Sequence, residues 1–135
     1  MVGIWPVYTG IAFYVDFNNK MPRLFLLAKD AAKNSDHHAH PIGCVLVKGN
    51  KPVGIGWNTN KSHPYCGQYT THAEIKALVS CRSERVDEAY LYRETADGKM
   101  ANSKPCISCA RALLASGIRR IYYTTSSGFE SLRIA

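Results

Sequence analysis

The sequence holds no apolar run long enough to cross a bilayer. Its longest, "IGCVLV" at 42–47, covers six residues, where a spanning helix needs about 20. The opening stretch "MVGIWPVYTGIAFYV" has no basic start and is broken by Pro6 and Gly10, so it does not read as a secretory leader. An even set of cysteines is also missing. There are five, Cys44, Cys66, Cys81, Cys106 and Cys109, which argues against a disulfide framework and for metal-bound or buried thiols in a reducing cytoplasm. Internal repeats, low-complexity segments, a polybasic tail and a second Cys-x-x-Cys are absent. Acidic residues are scarce, 10 against 17 Lys and Arg, for a net charge of +7. That excess favours anionic ligands such as nucleotides or nucleic acid. Solubility is the competing explanation, because the basic residues are scattered, with no run longer than Arg119-Arg120.

What is present is an ordinary globular composition, 46% hydrophobic and 20% charged over 135 residues, enough for one domain with one core. Residues 1–20 read as an N-terminal arm or extra strand, and 21–135 as the domain itself. "MPRLFLLAKDAAKN" (21–34) sets Leu24, Leu27, Ala28 and Ala31 on one helical face, with Pro22 suited to the first turn. "IGCVLVK" and "KPVGIGW" flank Gly49-Asn50 and predict a β-hairpin. A second helix is expected from about Thr71 to Cys81. "EAYLYRE" (88–94) reads as a strand and "ADGKMANSK" (96–104) as a loop. A third helix takes Pro105 in its first turn and stops at Gly117. "RRIYYTT" (119–125) is a further strand, with a hairpin through Ser127-Gly128 to a short last one. This alternation predicts an α/β fold, a three-layer α/β/α sandwich around a mixed central sheet.

Two short motifs carry chemistry. His72-Ala73-Glu74 opens the second helix and Pro105-Cys106-Ile107-Ser108-Cys109 opens the third. A helix N-terminus carries positive partial charge, which favours thiolate, the form that binds zinc. If the two helix starts lie level, His72, Cys106 and Cys109 converge as three ligands and leave a tetrahedral position open, as in a catalytic site. Glu74 is then the acid/base that moves protons between water, the ring and the leaving amine. Each motif alone is weak. Thr71-x-x-Glu74 is also a capping box, and one Cys-x-x-Cys also suits redox or structural roles. In this order, each opening a helix, they match the combined signature of the zinc deaminases of nucleobases.

Over roughly residues 21 to 125 the chain resembles the cytidine and deoxycytidylate deaminase superfamily, through "IGCVLVKGNKPVGIGWN", "THAEIKAL" and "SKPCISCARALLASGIRRIYY". The resemblance implies a mixed five-stranded sheet between helices. It implies zinc on His72, Cys106 and Cys109, with Glu74 as acid/base. It also implies a base pocket lined by Asn58 near the sugar and by the backbone at Ala73 and Pro105. The layout is most like the dCMP-type enzymes, while "GWN" and "HAEI" also look like tRNA adenosine deaminases. "PCISC" lacks the methionine common between those cysteines in the tRNA enzymes. Lys61, Arg93 and Lys104 are phosphate candidates by charge alone. Some dCMP-type relatives carry a second, structural zinc, for which His37, His38, His40, His63 and Cys66 are the candidates here, against ordinary loop histidines. Trp57, Tyr65 and Tyr69 suit either base stacking or packing.

The expected function is hydrolytic deamination of cytosine in a free nucleotide, dCMP to dUMP. The competing reading is a deaminase of cytosine or adenine in single-stranded DNA or RNA, which the charge favours. A third, a non-catalytic zinc module, sits poorly with an intact Glu74 and three intact ligands. The resemblance further implies a homo-oligomer; no membrane partner is expected.

Overall fold

The computed structural model describes residues 2–4, 11–16, 22–36, 40–59, 72–81 and 85–134. Ten elements follow one another: β1 (Val2–Ile4), β2 (Ile11–Asp16), α1 (Arg23–Ala32), β3 (Ile42–Lys48), β4 (Lys51–Trp57), α2 (Ala73–Ser80), β5 (Glu88–Arg93), α3 (Ile107–Ala115), β6 (Arg120–Thr125) and β7 (Gly128–Ile134). The strands form one sheet in the order β1-β2-β7-β6-β5-β3-β4. The pair β5 and β6, linked through α3, is parallel, and every other pair is antiparallel. The sheet is therefore mixed, as predicted. It has seven strands rather than five, because β1 and β2 extend it beyond β7.

The two-residue period of a strand sorts the core into two layers. On one face Cys44, Leu46, Ala89, Leu91, Ile121 and Tyr123 pack with Ala73 and Ala77 of α2 and Leu113 of α3. On the other, Val45, Val47 and Tyr92 pack with Ala28 and Ala32 of α1. Beside α1, Phe25 meets Tyr90 edge-on at 5.1 Å and Phe129 at 4.6 Å, while Tyr90 stacks on Tyr122 at 4.4 Å. The β3–β4 hairpin turns through Gly49 and Asn50 at φ 55° and 64°, the left-handed pair that a two-residue type I′ turn demands.

Helices approach the sheet closely where it presents glycine. A Cβ on Gly43 would stand 1.9 Å from the carbonyl oxygen of Ala28, and one on Gly56 would stand 2.3 Å from the nitrogen of Ala77 and 2.4 Å from the oxygen of Ala73. Gly56 thus sets how near the first turn of α2 lies to β4. Two helix starts differ from expectation. His72 is the residue that precedes α2, with no side-chain cap bond. Glu74 therefore sits at the second helical position, one place short of capping-box register; Thr71 lies outside the described residues. Cys106 likewise precedes α3, so Pro105 stands before the helix rather than in its first turn. No helix among the described residues is long and apolar enough to cross a membrane.

Candidate active site

The side-by-side N-termini of α2 and α3 bring the two motifs together. His72 Nδ1 lies 3.1 Å from Cys109 Sγ and 3.7 Å from Cys106 Sγ. All three ligand atoms fall within 4.8 Å of one another, and they form the one such group among the described residues. A zinc ion with Zn–N near 2.0 Å and Zn–S near 2.3 Å, held tetrahedrally, needs ligand atoms about 3.5–3.8 Å apart. The 3.7 Å separation falls in that range and the 3.1 Å one is a few tenths of an ångström short of it; one imidazole and two thiols are the donor set that suits such an ion. Cys109 is buried and Cys106 exposed, so the group is closed toward the core and open toward the surface.

Glu74 is buried, at 5% exposure. Burial pushes its carboxyl pKa above the ordinary carboxylate value, and a backbone hydrogen bond at Glu74, the His72 ring and a bond with Cys109 oppose that rise. Cys44 lies behind it in β3, fully buried; burial first, and the Glu74 charge second, raise its thiol pKa. It is a packed small side chain. Cys81 is half-buried beside Gly54.

A cleft of about 340 Å³ opens on this group, with His72, Ala73, Glu74, Cys106 and Asn58 in its walls, together with Arg93 and Lys104. Cys109 and Pro105 are not among its lining residues. Asn58, at the end of β4, is 7% exposed. Its carboxamide oxygen accepts from Ile42 N–H at 2.9 Å and from Ser35 Oγ at 2.6 Å, and its amide nitrogen donates to the His40 carbonyl at 2.7 Å. The side chain therefore ties the chain after α1 to the start of β3, and at the same time forms a cleft wall. Arg93, the last residue of β5, donates from Nη1 to the Asn102 carbonyl at 3.1 Å, and its Nη2 is bonded to His40 Nδ1. Its Nε is buried without a hydrogen-bond partner.

The approach to Cys106 is held by a clamp that the sequence did not reveal. Ser103 Oγ donates to the Leu91 carbonyl at 2.8 Å and accepts from Thr124 N–H at 2.7 Å. Thr124 Oγ1 lies 2.9 Å from Ser103 Oγ and donates to the Ala101 carbonyl at 2.8 Å. Both residues are buried, and the pair pins residues 101–103 across the ends of β5 and β6. A serine in a polar loop gives no periodic signal of such a role. Of the second-zinc candidates, His37, His38, His63 and Cys66 lie outside the described residues, as do Lys61, Tyr65 and Tyr69. Trp57 carries the Lys76 ammonium 3.8 Å from its ring centroid.

Residues 18–125 match the family model described as the cytidine and deoxycytidylate deaminase zinc-binding region. The chain belongs to this family. It is 31% identical over 126 residues to a deoxycytidylate deaminase of Schizosaccharomyces pombe, covering 78% of this chain and 37% of that one. It is 27% identical over 124 residues to the deoxycytidylate deaminase of Mycobacterium phage D29, covering 75% and 91%. With a tRNA-specific adenosine deaminase of Buchnera aphidicola it shares 34% over 90 residues, 64% of this chain and 52% of the relative. The chain thus spans about a third of the yeast relative's length and nearly all of the phage one. A cytidine deaminase structure from Burkholderia pseudomallei superposes with a TM-score of 0.60 at 20% identity, over 82% of this chain and 91% of that one. The fold is accordingly the cytidine deaminase-like α/β sandwich of this deaminase family.

Proposed function

We propose that the protein removes the exocyclic amine from cytosine in a free nucleotide, converting dCMP to dUMP with release of ammonia, at a single zinc ion. The observation that carries this reading is the Glu74 carboxyl, buried in the wall of the same cleft that His72 and Cys106 bound. His72, Cys106 and Cys109 would hold the ion, which when bound supplies Lewis-acid activation of water at neutral pH. A new bond from water oxygen to the ring carbon forms and the carbon–nitrogen bond breaks. Glu74 takes one proton from the water and gives it to the neighbouring ring nitrogen, then takes the second from the hydroxyl so formed and gives it to the departing amine as the carbonyl forms. Ala73 lines the cleft that would take the base, and the resemblance adds the backbone around Pro105, which lies outside that lining. Asn58, fixed by three hydrogen bonds, gives the sugar side a rigid edge.

Arg93 and Lys104 in the cleft walls support a phosphorylated substrate over a bare nucleoside, since they supply positive charge to the cleft that would take it. Two deoxycytidylate deaminases among the relatives support the same choice. The tRNA deaminase relative keeps a polynucleotide substrate as the second reading. Homo-oligomer formation belongs to this proposal through the resemblance. Product mass spectrometry after incubation with dCMP and, separately, with a cytosine-containing single-stranded oligonucleotide tests it, with Glu74→Ala as the control. Conversion of dCMP by wild type alone is the expected result. Conversion of the oligonucleotide but not of dCMP would replace the first reading with the second.

A further inference from the structure

We propose that the end of the sheet remote from the metal group is a second anion site, which takes the phosphates of a polyanionic ligand. This proposal goes beyond the deaminase reading and stands without it. β5 links the two regions: its last residue, Arg93, lines the active-site cleft, and its first, Glu88, lies at the other end. Six strand residues separate them by about 17 Å.

The registers gather positive charge there. Lys48 faces Lys51 across the β3–β4 hairpin, and Arg120 faces Arg133 between β6 and β7. Glu88 of β5 pairs with Arg120 and with Val47, so Glu88, Arg120 and Arg133 share one face across three strands, while Lys48, one residue past Val47, lies with Lys51 on the other. Arg85 and Arg119 stand just before β5 and β6. A cleft of about 460 Å³ opens among Arg85, Arg119, Arg120 and Arg133, with Asp87 and Glu88 in its lining and the Gly49-Asn50 turn as one wall. Among the described residues, four arginines meet two carboxylates in this lining. These arginines, scattered in the sequence, are collected by the fold.

The countercharges present are partly engaged. Asp87 accepts from Gly49 N–H at 3.1 Å and pairs with Arg85 at 3.7 Å. Glu88 accepts from the Tyr122 hydroxyl at 3.1 Å, which in turn accepts from Arg120 Nη1 at 3.0 Å. The C-terminus of α3, ending near Gly117, adds only a fractional negative charge. Like charges directly opposite one another in antiparallel strands are unfavourable, and Arg120 and Arg133 are such a pair. A bound polyanion removes that repulsion. Guanidinium forks match phosphate oxygens in pairs. The row from β5 to β7 spans about 10 Å, too wide for one phosphate and suited to several on one ligand.

Two sources share that chemistry, a compact polyphosphate and a phosphodiester strand, and the test separates them. Wild-type protein is titrated with inorganic tripolyphosphate by calorimetry, and with labelled oligothymidylate, which offers no cytosine or adenine to the catalytic cleft, by fluorescence anisotropy from 50 to 300 mM salt. The Arg85→Gln/Arg119→Gln double variant changes two exposed side chains; a single Arg119→Glu variant and melting curves guard against a folding defect. The expected result is binding by wild type that weakens about tenfold or more in both variants, with the oligothymidylate salt slope reduced by about 0.7 per lost phosphate contact. Tripolyphosphate binding alone assigns a compact ligand, and steeply salt-dependent oligothymidylate binding assigns a strand. No binding of either at 50 mM salt, or binding undiminished in folded variants, overturns the proposal. Neither outcome depends on dCMP turnover.

Discussion

At the scale of single residues, Glu74 separates a working site from a helix start. At the second position of α2 it lies one place short of capping-box register, so its buried carboxyl is not explained by capping. Glu74→Gln keeps the shape and removes the proton acceptor. Turnover of dCMP should fall by at least about 10²–10⁴-fold, while metal analysis finds zinc retained; Cys106→Ala should lose the zinc itself. Equal turnover in Glu74→Gln would remove Glu74 from the mechanism. The four motif residues were legible because their chemistry fixes both type and spacing: a nitrogen and two sulfurs at two helix starts, with a carboxylate two residues on. Asn58 was legible as a position and not as a structure. Its partners, Ser35 Oγ, Ile42 N–H and the His40 carbonyl, lie 16 to 23 residues away, and no local pattern announces them. Asn58→Ala removes three part-buried hydrogen bonds, to Ser35, Ile42 and His40, so it should cost roughly 0.5–1.5 kcal/mol per bond lost, read by urea unfolding.

At the scale of elements, the site exists because two helix N-termini are held at one height. The approach of α2 is set by Gly56, against which the backbone at Ala73 and Ala77 packs. Gly56→Ala pushes backbone against backbone, with no flexible side chain to yield. It should destabilise the protein by about 1–3 kcal/mol and lower zinc affinity together with turnover; unchanged zinc affinity would show that the helix start does not depend on this contact. Ser103 and Thr124 pin residues 101–103 to β5 and β6, three residues before Cys106. Elements with strong local signals were readable: the Gly49-Asn50 turn, the alternation in 42–47, and the Gly117 stop. Boundaries were less so, since His72 and Cys106 themselves precede their helices, where the sequence pointed to Thr71 as the cap of α2 and to Pro105 as part of the first turn of α3. Residues 1–20 were readable as an extra strand or arm, but not as two strands. Pairing with β7 is a long-range event, set by registers such as Phe13 with Leu132, which sequence order does not show.

At the scale of the whole molecule, a bound ion ties α2 to α3 across the core that both share with β3, β5 and β6. Binding to the folded state alone stabilises it by about 2.7 kcal/mol when free metal is 100 times its dissociation constant. For a domain of this size that corresponds to a rise of several degrees in Tm. Chelation should therefore lower the calorimetric midpoint, and zinc should restore it. Cys106→Ala should show no zinc-dependent shift, because two remaining ligands hold the ion poorly. Glu74→Gln should shift as wild type does, since its carboxylate is not a ligand. A zinc shift lost in Glu74→Gln would place that carboxylate on the metal, close the open position, and turn a catalytic site into a structural one. The core itself buries Cys44, Leu46, Leu91, Leu113, Ile121 and Tyr123 without the ion, so the apo protein should still unfold cooperatively. That separates this domain from small zinc modules that are unfolded without metal: here the fold supplies the geometry and the ion adds to it.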